Sequence, residues 1–135
     1  TGGAGADTLT GGGGNDAFTL AAVSDSAPSA YDTITDFVAN TATTAGDTIA
    51  FDNLIFGSAD AAVSVFVANS GSLALAALSS ATFGSDVINV ALDSSTGTLY
   101  IDGTSGAAGT SDGIADMAIV LAGVTTITAS AFAIS

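Results

Sequence analysis

The first nineteen residues contain a repeated glycine pattern that few kinds of structure can accommodate. Residues 2–10 and 11–19 each fit the nine-residue unit Gly-Gly-x-Gly-x-Asp-x-U-x, in which U is apolar. Glycine holds unusual backbone angles at little cost, so three glycines in four positions indicate a tight loop whose carbonyl oxygens turn inward. Asp7 and Asp16 each add a carboxylate, and the apolar residue two positions later predicts a short strand with one buried side chain.

Carbonyl and carboxylate oxygens, without nitrogen or sulfur, are the ligands of a hard cation such as Ca²⁺. The candidate ligands in the two units are Gly3, Gly5, Asp7, Gly12, Gly14 and Asp16. A flexible glycine-rich linker is the first alternative, but a linker has no reason to place an aspartate and an apolar residue in phase twice. A phosphate-binding loop would need a following helix and usually a cationic side chain.

The charge of the whole chain supports metal binding. It contains 13 aspartates and no Glu, Lys, Arg or His, for a net charge of −13. Such self-repulsion destabilises a compact fold unless an external cation neutralises it, and about five Ca²⁺ would bring the charge to roughly −3. Nucleic acids and anionic membrane surfaces should be repelled. No apolar run is long enough to span a membrane, and 48% apolar residues argue against disorder.

The missing residue types also exclude several functions. Without cysteine there is no disulfide and no zinc–thiolate site. Without His, Lys or Glu, a serine nucleophile lacks its usual base and a His-Glu-x-x-His zinc site is impossible. We therefore expect no catalysis in this segment. The absence of Lys and Arg removes every trypsin-type cleavage site, which favours a secreted protein at or outside the cell surface.

The glycine units resemble the nonapeptide of RTX proteins, which wind into a parallel β-roll that binds Ca²⁺. A second stretch is similar to the segment after the roll in serralysin-type metalloproteases, where D-x-I-x-D-F precedes D-x-I-x-[FL]. The matching residues are Asp32, Ile34, Asp36, Phe37, Asp47, Ile49 and Phe51. The resemblance implies that the three aspartates cap the roll with further Ca²⁺. The alternative is that they are turn aspartates bonded to local amides.

The end of the chain also resembles the RTX C-terminal domain. Asp102, Asp112 and Asp116 match the acids of a family loop, D-x-[DN]-G-D-G-x-x-D, but residues 104–111 are inserted between its halves. The resemblance implies metal ligation there; an ordinary turn is the alternative. Residues 128–132 match a tail that carries the family's type I secretion signal, except that Ala131 replaces an acid. A last strand packing on the core is compatible with that role.

The aspartates at 7, 16 and 25 are nine residues apart. In a roll with two turns per coil, turns on one side recur every 18 residues, so Asp7 and Asp25 are predicted to share an ion. The partner of Asp16 would lie near Ile34, and we expect further repeats upstream. Pro28 is predicted to end the roll.

The rest of the chain predicts strands at 31–38, 47–51 and 63–67, a helix at 72–79 and a hairpin of 87–92 with 98–101. The predicted fold is all-β: the end of a parallel β-roll (1–30) followed by a mostly antiparallel sandwich-like capping and secretion-signal domain with one short helix (31–135), together one continuous unit.

The predicted function is a Ca²⁺-dependent folding and type I secretion module of an extracellular surface-layer protein. Its partners would be several Ca²⁺ ions, the secretion machinery and other copies in a surface lattice. A secreted serralysin-like protease, another hydrolase or an RTX adhesin is the alternative parent.

Overall fold

The computed structural model describes residues 1–52, 62–80, 87–103 and 114–134. Two short 3₁₀ helices occur at Val23–Ser26 and Ala129–Ala131. The strands and the helix are β1 Thr8–Leu9, β2 Ala17–Leu20, β3 Asp32–Ile34, β4 Thr48–Phe51, β5 Ala62–Ala68, α1 Gly71–Ser80, β6 Val87–Asp93, β7 Thr98–Asp102, β8 Met117–Leu121 and β9 Phe132–Ile134. The predicted all-β class with one short helix is confirmed, and both sheets contain parallel pairs.

The chain forms three stacked coils, each with one strand in either of two facing sheets. The strand order is β1-β3-β8-β7-β6-β5 in the larger sheet and β2-β4-β9 in the smaller one. The pairs β1–β3, β3–β8, β2–β4 and β4–β9 are all parallel. Pro28 therefore does not end the parallel stack, because β3 and β4 form the second coil. The third coil consists of β8 and β9, close to the end of the described chain.

Between the second and third coils, the chain makes an excursion through β5, α1, β6 and β7. These strands extend the larger sheet beyond β8, with β5 parallel to β6 and an antiparallel run β6–β7–β8. The predicted β6–β7 hairpin and the predicted helix are both present. The helix begins where the Ser70 carbonyl accepts from Ala74 N–H and the Ser70 hydroxyl lies 3.4 Å from Leu73 N, which is an N-cap arrangement.

The main core lies between the two sheets and takes apolar residues from the coils as well as from β6 and β7. Phe18, Ile34, Ile49 and Phe51 are each at most 8% exposed. They point inward because alternate residues of a strand face the same side. Phe51 stacks on Phe132 of the last strand with ring centroids 6.0 Å apart. The third coil is thus fixed by packing as well as by strand pairing.

The β6–β7 turn shows how one aspartate shapes a loop. The Asp93 carboxylate accepts from the Ser95 amide (2.9 Å), the Ser95 hydroxyl (2.6 Å) and the Thr96 hydroxyl (2.9 Å). These bonds, the Ser95 hydroxyl first, hold the pKa of Asp93 below its usual range, even though burial acts in the opposite direction. Gly97 closes the turn at φ +75°, and a side chain there would collide with the Leu121 carbonyl oxygen of β8.

Gly97→Ala should destabilise the protein more than Gly123→Ala does. Both glycines have positive φ, at +75° and +79°, so each alanine costs about 1–2 kcal/mol of backbone strain. Only at Gly97 does the added methyl group meet backbone; at Gly123 it meets nothing within 4 Å. Urea unfolding at saturating Ca²⁺ measures both free energies of unfolding. Equal losses would show that the β8 contact does not constrain this turn.

Candidate calcium-binding site

Two matched turns join the first coil to the second. In one, the Asp7 amide donates to the Asp32 carboxylate (2.9 Å) and the Asp7 carbonyl accepts from Thr33 N–H (2.8 Å). In the other, the Asp16 amide donates to the Asp47 carboxylate (2.9 Å), and the Asp16 carbonyl accepts from Thr48 N–H (2.8 Å). Each repeat aspartate is thereby held beside an aspartate of the next coil, at the amino-terminal end of a parallel strand pair.

These contacts correct the predicted phasing. The register pairs Thr8 with Thr33 and Ala17 with Thr48, so equivalent positions of coils one and two are 25 and 31 residues apart rather than 18. The partner of Asp16 is therefore Asp47, not a residue near 34. The 18-residue rule failed because the connections between strands differ in length.

Asp25 lies close to the turn of Asp7 and Asp32, and its sharing of an ion with Asp7 stays a prediction. It lies in the 3₁₀ helix Val23–Ser26, where its carboxylate accepts from the Ala21 and Ala22 amides at 3.0 and 3.2 Å. Its charge is nevertheless close enough to act on Asp32. Burial raises the pKa of Asp32, and repulsion from Asp7 and then from Asp25 raises it further, against the lowering effect of the Asp7 amide bond.

Glycine is required in the repeat for two different structural reasons. Gly3, Gly5, Gly12 and Gly14 have φ between +87° and +126°, which side chains rarely adopt. The first glycine of each unit instead makes room. A β-carbon on Gly11 would lie 2.7 Å from the Asp16 Oδ2 atom, and the equivalent Gly2 faces Asp7 in the same way.

Asp36 and Asp47 accept hydrogen bonds from backbone amides of the neighbouring coil. The two Asp36 oxygens accept from Gly11 and Gly12 N–H at 3.0 and 2.8 Å, and these bonds lower the pKa of Asp36. Asp47 accepts from Val38 N–H (2.9 Å) with its second oxygen. The alternative that these aspartates bond amides is therefore realised, but with partners in a neighbouring coil as well as nearby ones.

Two carboxylate oxygens in these turns are buried without a hydrogen-bond partner. They are Asp16 Oδ2 and Asp32 Oδ2, and the statement holds for partners among the described residues. Asp32 as a whole is 1% exposed. A buried carboxylate oxygen is costly unless a cation or a donor neutralises it, and the sequence offers no cationic side chain. The oxygen-only surroundings fit Ca²⁺.

The C-terminal candidates are only partly covered by the structure. Asp102 ends β7 and is fully buried, and Asp116 accepts from Gly103 N–H at 3.0 Å. Asp112 lies outside the described residues. In the described ranges, no three carboxylates form a metal-binding group, so every candidate site relies on carbonyl, amide or hydroxyl oxygens in addition.

Sequence reasoning missed Ser26, which is fully buried at the first coil connection. Its hydroxyl donates to the Ala118 carbonyl of β8 and accepts from Asp32 N–H at 2.8 Å. It thus ties the first connection to the second and third coils. No repeat position marks it, because it lies in the unit that has lost its glycines.

Gly11→Ala should weaken Ca²⁺ binding, whereas Gly13→Ala should not. The methyl group at position 11 must displace the Asp16 carboxylate, while at position 13 it meets nothing within 4 Å. We expect a rise of about tenfold or more in the Ca²⁺ midpoint for Gly11→Ala, equivalent to about 1.4 kcal/mol. Calcium titration followed by circular dichroism compares the two variants. Equal midpoints would mean that the position of the Asp16 carboxylate does not control the ion.

Comparison with known families agrees with this architecture. In the part of the chain that the structure describes, no helix is long and apolar enough to cross a membrane. No curated protein matches the chain. A family model described as Peptidase M10 serralysin C terminal matches residues 1–115. Domains of this family are non-catalytic, generally bind calcium and occur in secreted proteins. The chain belongs to the family of serralysin C-terminal domains of the M10 peptidases.

Proposed function

We propose that this chain is a calcium-dependent folding and export module of an extracellular protein. The observation that carries the proposal is a pair of buried carboxylate oxygens, Asp16 Oδ2 and Asp32 Oδ2, that have no hydrogen-bond partner among the described residues. They lie at equivalent coil turns of a chain without cationic side chains. The family membership supports the same conclusion.

The proposed Ca²⁺ ligands include two residues at each of the two turns. Asp7 and Asp32 serve one turn, where burial first, and then repulsion from Asp7 and from Asp25, raises the pKa of Asp32. Asp16 and Asp47 serve the other. The carbonyl oxygens of Gly3, Gly5, Gly12 and Gly14, together with Asp25, Asp36, Asp102, Asp112 and Asp116, complete the set of proposed ligands. Bound Ca²⁺ would supply the positive charge that the sequence lacks.

Folding is coupled to the ion because the charges that bind it oppose folding without it. Without bound Ca²⁺, the carboxylates repel one another and the glycines favour the unfolded chain. Extracellular modules of this type bind Ca²⁺ with affinities of about 10⁻⁴–10⁻³ M. A site that binds only the folded state contributes about 2.7 kcal/mol when the ion is at a hundred times its dissociation constant. Several sites together therefore decide whether the chain is folded.

The place of β9 in the fold is compatible with a role in export. The tail segment Phe132–Ile134 is β9, paired with β4 in the third coil. In the unfolded, calcium-poor chain this tail is available to a type I secretion machinery, and after export folding withdraws it into the sheet. The same segment would thus act as a secretion signal in the unfolded chain and as strand β9 in the folded one.

Chelation of Ca²⁺ should unfold the module reversibly. In EDTA we expect a coil-like far-ultraviolet circular dichroism spectrum, and a β-rich spectrum on addition of excess Ca²⁺. Mg²⁺ at the same concentration serves as the control, since it accepts irregular oxygen sites poorly. A chain that is equally folded in EDTA would overturn the mechanism.

For the parent protein we propose a self-assembling surface layer. The supporting observation is that β5 and α1 carry no charged side chain, since residues 62–80 contain none in a chain of net charge −13. Within the described residues β5 is an edge strand, paired only with β6. Val67 of β5 and Leu73 and Leu75 of α1 are 49%, 56% and 39% exposed. Two copies that repel elsewhere can approach at this edge, and an edge strand is a template for strand pairing.

A secreted protease or other hydrolase, or an adhesin, is the second candidate for the parent. The family description favours the protease, since it names serralysin peptidases. A His-Glu-x-x-His motif upstream would decide for the protease, and long Thr- and Ala-rich β repeats would decide for the surface layer.

Val67→Asp should abolish self-association of the calcium-loaded chain, whereas Val38→Asp should not. Both changes add one negative charge at an exposed valine, but Val38, 65% exposed, lies between the two strands of the second coil and outside β5 and α1. Sedimentation velocity at increasing protein concentration measures the association. A wild-type chain that stays monomeric, or equal loss in both variants, would contradict a role for this edge.

A further inference from the structure

Among the described residues, β5 has one paired edge and one open edge. All seven residues of the strand pair in parallel with β6. The Ala68 carbonyl accepts from Ser94 N–H at 2.8 Å, so the backbone groups of Ala68 point toward β6. Successive residues of a strand direct their backbone groups to opposite edges. Those of Val63, Val65 and Val67 therefore point away from β6, and no other described residue bonds to them.

The sequence of β5 lacks the features that usually protect such an edge. Natural edge strands are very short or carry a charge, a proline or a bulge, each of which hinders pairing with another chain. β5 reads Ala-Val-Ser-Val-Phe-Val-Ala, with no charge, no proline and no glycine. Its pairing with β6 runs residue by residue without a bulge. The open edge is thus able to accept one more strand.

The side chains of β5 are less buried than those of the strand beside it. Val63 and Val65 pack against the main core and Phe66 packs against the cluster under α1, yet all three are only half-buried. In β6, every residue after Val87 is buried. Val67 is 49% exposed. A further strand would remove more of this apolar surface from water, which is favourable.

The charge of the chain favours a second copy as the partner of this edge. With a net charge of −13 and no cationic side chain, two copies repel each other wherever their aspartates come close. Residues 62–80 contain no aspartate, so this repulsion is weakest at β5. The same stretch offers no charge that would select a basic partner. An uncharged strand of matching length is the complementary surface, and a second β5 provides it.

The backbone of β5 also fixes how two copies would pair. If the strands run in opposite directions and centre on Val65, then Val65 lies opposite Val65 of the second copy, and Val63 lies opposite Val67. These are the residues whose N–H and C=O groups point outward. In an antiparallel pair, such residues exchange both hydrogen bonds with the residue opposite. This register therefore uses every outward backbone group of the three valines.

We propose that two copies of this chain form a two-fold symmetric dimer in which their β5 strands pair antiparallel, centred on Val65. The pairing joins the larger sheets of the two copies into one continuous sheet. A two-fold contact uses the same surface on both copies and closes on itself. It therefore produces dimers, and a surface lattice would be built from these dimers through a second contact elsewhere. The inference rests on the self-association proposed above and adds its partner strand, its symmetry and its register.

Val65→Pro removes the outward N–H at the centre of the proposed pair. An edge strand tolerates proline where the N–H is not bonded within the sheet, so circular dichroism in Ca²⁺ should show a folded chain. Sedimentation velocity should show that the dissociation constant of the dimer rises about tenfold or more, because the bond is lost twice across the two-fold axis. Val65→Ala, which keeps the N–H, is the control and should dimerise like the wild type. Equal dissociation constants for the two variants would overturn the proposal.

Cysteine cross-linking tests the register without relying on the proline variant, since the chain has no cysteine of its own. Under mild oxidation, Val65→Cys should form a covalent dimer, because opposite residues of an antiparallel pair have Cα atoms about 5.5 Å apart, within disulfide range. Val67→Cys is the control. Its position is more exposed, but in this register the two copies of residue 67 are offset by about 14 Å along the strands.

The outcomes separate this inference from the proposed self-association. Rapid cross-linking of Val65→Cys and slow cross-linking of Val67→Cys would support the β5 pair. A wild-type chain that associates while Val67→Cys cross-links as fast as Val65→Cys would keep the self-association and overturn the β5 register. A wild-type chain that remains monomeric at every concentration would overturn both.

Discussion

The structure depends on carboxylates that have no cationic side chain to pair with. Backbone amides take over that role where they can: Asp32 binds the Asp7 amide, Asp36 binds the Gly11 and Gly12 amides, and the bonds join coils that are distant in sequence. Charge-assisted bonds of this kind are stronger than neutral ones. They help to hold the second coil against the first. They do not remove the net charge of −13.

The glycines and the aspartates of the repeat shape the loop together. Positive φ at Gly12 and Gly14 bends the loop, and the bare Gly11 leaves space for the Asp16 carboxylate to fold over it. The loop can be this tight because the residues around the Asp16 carboxylate are glycines. The same arrangement occurs around Asp7, so the two turns of the first coil are structurally equivalent although they serve different sheets.

The chain departs from the roll and then returns to complete it. The excursion through β5, α1, β6 and β7 adds three strands and a helix to a sheet that began as a stack of parallel coils. The return through β8 and β9 places the last strand against β4. β9 therefore has its pairing partner only once the second coil is formed.

The sequence by itself determined the local chemistry. The positive-φ glycines, the turn aspartates, the inward positions of Phe18 and Ile49, the helix after Ser70 and the β6–β7 hairpin all follow from patterns within about ten residues, where backbone sterics and alternation decide. The oxygen-only, cation-free composition likewise pointed to Ca²⁺. The tertiary structure decided which aspartates meet, because the register depends on connection lengths that no repeat fixes once the third unit loses its glycines. It alone brought β8 and β9 back as a third coil, buried Ser26 between coils and placed Asn89 beside Asp102, since such contacts join residues far apart in sequence and carry no local signal.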